Sequence, residues 1–347
     1  MKSIKYIVVL FVIAIFAWTL WPETELTPFQ RSWTTYKSQF VDAGRVIDTG
    51  NQGISHSEGQ GYGLLFAVFA NDKKQFKKIW RWTQQTLQRD DQLFSWQYTP
   101  TKQRKCDDSC ITDSNNATDG DILIAWALLE AHQKWGVQAY LDQALTILDP
   151  IKTKLIKDKF GYQLILPGEF GFEQPDGSIQ INLSYWVFPA LDLFSDITND
   201  PIWTDVYQSG VDLMKVSRFG DWQLPPDWAI ISDDGITLNG ALSSDYGYNA
   251  CRLPIYLMLA KDNNETLIGP FLSFWSQEKI PATVNLKNGE LAEYTYNTGM
   301  QAIAKATQSV INTKATALPE INDKTDYYSA SLILLSQLAL LKSDLKQ

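Results

Sequence analysis

"ATDGDILIAWALLEAHQKW", residues 117–135, decides how the chain folds. Thr118 or Asp119 can cap a helix here, and Gly120 allows another backbone to approach closely. From Ile122 to Leu129 every residue is apolar or aromatic. A helix apolar on all sides belongs inside a large core. "HSEGQGYGLLFAVFAND", residues 56–72, repeats the arrangement, with a small polar cluster around Glu58 ahead of an apolar run from Leu64 to Ala70. Further polar clusters follow: "NLSYW" at Ser184, "SSDYGYN" at Asp245, "YNTG" at Asn297 and "DYYS" at Asp326. The first four lie roughly sixty residues apart, the length of a helix pair with its loops. The last two are more closely and irregularly spaced. Amphipathic segments rich in Lys, Gln and Trp separate the apolar ones. The pattern predicts an all-α protein, an (α/α)6 barrel with six inner and six outer helices, whose inner-helix N-termini gather the polar clusters at one end. Strand signals are sparse: "GYQLILPGEFGF" (161–172) and "WAIISDDGITL" (228–238) read as short strands or hairpins.

The 347 residues are 45% hydrophobic, enough to build such a core. With 30 basic and 39 acidic residues the net charge is −9, and no Lys/Arg-rich run stands out, which argues against nucleic acid as a partner. The 13 Trp, 15 Tyr and 16 Phe mostly serve a core, but flat rings also suit the apolar faces of sugars. Lys2 and Lys5 precede an apolar stretch from Tyr6 to Trp21. That describes an export signal, with residues 1–21 either a cleaved signal peptide or an uncleaved signal-anchor. Residues 22–347 then form one exported domain, periplasmic or secreted, that meets the membrane only through the first segment. Cys106 and Cys110 can close a small disulfide loop in that compartment, and Cys251 reads as a buried thiol. The only histidines are His56 and His132, so no zinc site is expected, nor any other metal or cofactor.

Glu58 stands at the mouth of an apolar run, where a carboxylate is either complementing a helix dipole or put to use. Asp119 and Asp121 pose the same choice more sharply, since plain capping requires only one acid. These segments resemble glycoside hydrolase family 8. Ala117-Thr118-Asp119-Gly120-Asp121, with Ile124, Ala125, Ala127, Leu128, Leu129, Ala131 and Trp135, matches the family signature position by position. "SEGQGYG", "LPGEFGF" (166–172), "NLSYWVFPAL" (182–191), "PPDW" (225–228) and "YNACRLP" (248–254) resemble further family segments in the same order, and the likeness looks closest to endoglucanases associated with bacterial cellulose synthesis.

The resemblance implies an inverting endo-β-1,4-glucanase (a cellulase) that acts on a β-1,4-glucan chain, with the cellulose synthase machinery as a further candidate partner. Glu58 matches the family's proton donor, and the apolar run behind it is expected to raise its pKa. Asp119 matches the signature aspartate and is counted as catalytic, gripping sugar hydroxyls and tuning Glu58. One position departs from the pattern: where many members carry an aspartate as base, this chain has Asn249. Asp245, read as one helical turn before Asn249, is the replacement expected, with Asp233 and Asp234 behind it. Trp96, Tyr185, Trp186 and Tyr248 are candidate sugar platforms. Asn249, Arg252 and Asp121 complete the substrate-binding set, with Arg252 expected to pair with an acidic neighbour and Asp121 to act as support. Two alternatives share the fold: a non-hydrolytic cellulose-binding accessory that has lost its base, and a family-8 xylanase, chitosanase or mixed-linkage glucanase.

Overall fold

The apolar stretches form the inside of the barrel. The computed structural model describes residues 25–100, 110–238, 244–261 and 265–344. The inner helices are α2 (Ser57–Phe69), α4 (Thr118–Trp135), α6 (Phe188–Thr198), α8 (Leu253–Leu259), α10 (Thr298–Ile311) and α11 (Tyr327–Asp344). Each touches the next, and α11 returns to α2, which closes the ring. Outside it lie α1 (Pro28–Phe40) on α11, α3 (Lys73–Thr86) on α2, α5 (Gln138–Pro150) on α4, α7 (Pro201–Val216) on α6 and α9 (Glu265–Phe274) on α8 and α10. The architecture is an (α/α)6 barrel in which five outer helices fall among the described residues.

Each layer follows from its pattern. In α4 every residue from Thr118 to Leu129 is buried, whereas α3 buries only Phe76, Ile79, Trp80 and Thr83, one face at helical spacing. Asp72 caps α3 by accepting the Gln75 N–H at 3.0 Å. The left-handed Gly136, with φ 64°, ends α4. Glycines set the closest approach in the ring. A Cβ on Gly61 would lie 2.6 Å from Leu123 Cβ, and one on Gly120 would lie 2.7 Å from the Glu58 nitrogen. The N-termini of α2 and α4 therefore meet backbone to backbone.

Short strands finish the loops at that end. β1 (Val41–Asp42) pairs with β2 (Arg45–Val46). β3 (Ser55–His56), β4 (Ser95–Tyr98) and β5 (Ile111–Asn116) make an antiparallel sheet that leads into α2 on one side and α4 on the other. Both expected strand regions are present. β6 (Ile156–Lys159) and β7 (Tyr162–Ile165) form a hairpin, and β8 (Ile179–Ile181) joins the hairpin of β9 (Ala229–Ser232) and β10 (Gly235–Leu238). β11 (Asp245–Tyr246) pairs with β12 (Val284–Asn285).

The apolar segment 6–21 and Cys106 lie outside the described residues; Cys110 and the free thiol Cys251 are buried. No described helix is long and apolar enough to cross a membrane.

Candidate active site

Four inner-helix entrances converge on one acidic group. His56 caps α2, its Nδ1 accepting the Gly59 N–H at 3.0 Å, and so sets Glu58 in the first turn. The Glu58 carboxylate meets Arg252, which arrives from the turn ahead of α8. Arg252 is buried, and its remaining donors are spread over Tyr62 Oη at 3.2 Å, Ser184 Oγ at 3.2 Å and Asn249 Oδ1 at 2.9 Å. Tyr62 continues to the Tyr256 hydroxyl at 2.7 Å. A guanidinium bonded this fully is a fixed charge that holds Glu58 in place.

Asp119 reaches the same point from α4. Its carboxyl hydrogen-bonds to that of Glu58, and its Oδ1 also accepts the Gly120 N–H at 2.8 Å. Burial pushes Asp119 up to about 8, with the Glu58 charge adding to it and Arg252 opposing. Glu58 moves the other way. Burial favours its neutral form, but the Arg252 and His56 charges and hydrogen bonds from Arg252 and Asp119 outweigh that and lower its pKa. The expectation that an apolar wall alone keeps Glu58 protonated is therefore corrected. The wall exists, but a buried cation stands in front of it. At neutral pH the two carboxyls share one proton, which rests on Asp119. Asp48 stands behind His56, 3.6 Å from Nε2. Burial disfavours a charged imidazole, but Asp48, Glu58 and Asp119 together raise its pKa.

The remaining expected residues divide sharply. Tyr185 is half-buried at this site, burial and the charges on Asp119 and Glu58 raising its phenol pKa well above the ordinary value. Trp96 is half-buried on β4, between the strands that feed α2 and α4. Tyr248 is exposed, its ring 5.7 Å from that of Tyr328. Trp186 is no platform: it is fully buried, its Nε1 donates to the Val206 carbonyl, and its ring fills the space left by Gly210. Asp121 does not face a substrate either. Its carboxyl is fully buried and accepts the Phe94 N–H at 2.9 Å and Asn116 Nδ2 at 2.7 Å, burial pushing it up to about 8.

Asp245 occupies strand β11 rather than a helical turn before Asn249. Tyr246 turns into the core, Asp245 stays half-buried on the other side of the strand, and Asn285 Nδ2 donates to its Oδ1 at 2.8 Å. Asp233 and Asp234 are exposed at the β9–β10 hairpin tip and do not join the site. Asp227 went unassigned, although "PPDW" contains it. Its Oδ1 accepts the N–H groups of Gly247, Asn249 and Ala250 at 3.1, 3.0 and 2.8 Å, tying down the turn that presents Asn249 and Arg252. Burial pushes it up to about 6, against those three bonds. His56, Tyr62 and Ser184 were also unassigned, because only the fold shows that they meet Arg252 and Glu58.

Two carboxyls set side by side against a fixed arginine, at the open end of a closed helical ring, suit proton transfer to a bound ligand. The chain belongs to glycosyl hydrolase family 8, whose model matches residues 4–342. A probable endoglucanase of Novacetimonas hansenii is 35% identical over 323 residues, 91% of this chain and 92% of that protein. An endoglucanase of Cellulomonas uda is 36% identical over 290 residues, 80% and 77% of the two chains. The solved structure of an endo-β-1,4-glucanase from Acetobacter xylinum superposes with a TM-score of 0.84 at 34% identity, covering 92% of this chain and all of that one.

Proposed function

We propose that Glu58 protonates the leaving oxygen of a β-1,4-glucosidic bond, that Asp119 stores the proton for it, and that Asp245 activates the attacking water. The chain is an endo-β-1,4-glucanase, a glycoside hydrolase that acts with inversion. The shared proton of Glu58 and Asp119 carries the assignment of the acid, because moving it onto Glu58 requires only a shift within an existing hydrogen bond. The same contact argues against Asp119 as the base. An inverting pair needs roughly 6.5–9.5 Å between carboxyls to admit a water, far more than a hydrogen bond spans. Retention of this pair also favours an enzyme over a binding accessory. Export is supported by Lys2, Lys5 and the apolar run that follows them. A link to cellulose synthesis is supported by the resemblance of the motifs to that branch of endoglucanases.

The Glu58→Gln variant tests the acid. It keeps affinity for cello-oligosaccharides while turnover on carboxymethyl cellulose falls at least about a hundredfold. Turnover within a few-fold of the unaltered protein would remove Glu58 from that role.

A further inference from the structure

Phe170 is the most exposed large hydrophobic side chain among the described residues, 64% accessible. A bare aromatic ring on a mobile loop would mean little, but this loop is pinned at every step. Pro167 O accepts the Thr118 N–H at 2.9 Å, next to Asp119, so the loop lies on the N-terminus of α4. Asn116 Oδ1 accepts the Glu169 N–H at 2.7 Å, and Asn115 Nδ2 donates to the Phe170 carbonyl at 2.9 Å. The Glu169 side chain is bonded to both Arg89 and Lys154, which also share Asp91. The ring is thus held out toward solvent by a rigid support.

A row of rings leads from the carboxyls to the same loop. Tyr185 borders the catalytic carboxyls, its ring lies 6.2 Å from Trp228, and Trp228 lies 6.2 Å from Phe172 with the two planes only 5° apart. Phe170 is two residues beyond Phe172. Rings at such intervals can meet successive pyranoses through their apolar faces, and a fixed ring loses little entropy on contact. We infer that Phe170 is the outer platform of this row, an added binding position for a glucose unit of a β-1,4-glucan chain well away from the bond being cut. The inference rests on the glucanase reading above.

The test compares cellotetraose with cellohexaose on the full chain and on Phe170→Ala and Phe170→Trp. Phe170→Ala lowers kcat/KM on cellohexaose about fivefold and leaves cellotetraose unchanged, while Phe170→Trp keeps both. An equal loss on both oligosaccharides, or none on either, overturns the platform. Calorimetric binding of the same two ligands reads the position without turnover. There an unchanged cellohexaose affinity in Phe170→Ala also overturns it. If the unaltered protein cleaves neither oligosaccharide while Phe170→Ala still weakens binding of cellohexaose alone, the glucanase reading fails and the platform stands.

Discussion

At the scale of single residues, the open step is removal of a proton from water, since Asn249 has no basic carboxylate. Two aspartates flank it and differ in what surrounds them. Asp227 is buried beneath the turn with Oδ1 committed to three backbone donors, so its work is to position Asn249 and Arg252. Asp245 lies on the side of β11 away from the buried Tyr246 and is half-accessible, which a base that meets water requires. Asp245→Ala is expected to abolish most hydrolysis and to recover part of it with azide, a small anion that attacks in place of activated water. Asp227→Ala is expected to lose activity without azide rescue and with a lower Tm, because three N–H groups lose their acceptor. Azide rescue of Asp227→Ala, with full turnover in Asp245→Ala, would exchange the two roles. The motifs single out Glu58, Asp119 and the missing carboxylate at Asn249, but not the Arg252 cation that lowers the pKa of Glu58. The strand placement of Asp245 is not legible there, because Asp245–Tyr246 pairs with a strand forty residues downstream before the chain enters the 3-10 turn.

At the scale of elements, the shared proton depends on how closely α2 and α4 approach. Gly120 permits it. A methyl group there would stand 2.7 Å from the Glu58 nitrogen and closer still to Ser57 Oγ, and the first of these is backbone that cannot swing away. Gly120→Ala therefore separates the two helix starts, breaks the carboxyl contact and costs about 1–3 kcal/mol of stability. Turnover is expected to fall on the order of a hundredfold, the usual result of moving a catalytic group by about an ångström. Wild-type kcat with an unchanged melting temperature would show that the contact is not sterically gated. Close packing at Gly120 and the burial of both helices were readable from glycine followed by an unbroken apolar run. The β3–β4–β5 sheet was not, because "SWQY" and "ITDSNN" are short, half-polar and paired across a long intervening segment. Trp186 was misread for a related reason. Its neighbour Tyr185 borders the site, and only the 3-10 turn Leu183–Tyr185 decides which of two adjacent rings faces inward.

At the scale of the whole molecule, building a site at the end of a closed helical ring buries acids together, and that sets how stability responds to pH. Asp119 and Asp121 are pushed up to about 8 and Asp227 to about 6, all chiefly by burial. In the unfolded chain each titrates near the ordinary aspartate value of about 4. Between about pH 4 and 8 the folded state therefore holds protons that the unfolded state has released, so stability falls as pH rises through this window. Carboxyls with lowered values, Glu58, Asp72, Asp91 and Glu169, act in the opposite sense but only in more acidic solution, below their ordinary values. The melting temperature is thus expected to peak near about pH 5 and decline steadily toward about pH 9. Asp121→Asn separates this effect from general charge repulsion. The variant cannot ionise at that position, so its decline is shallower even though a poorer fit to Asn116 Nδ2 lowers its melting temperature at the acidic end. Scanning calorimetry at several pH values checks both slopes. A melting temperature that stays level or climbs from pH 5 to pH 9 would mean that these carboxyls reach solvent and that the acidic pair is not held dry.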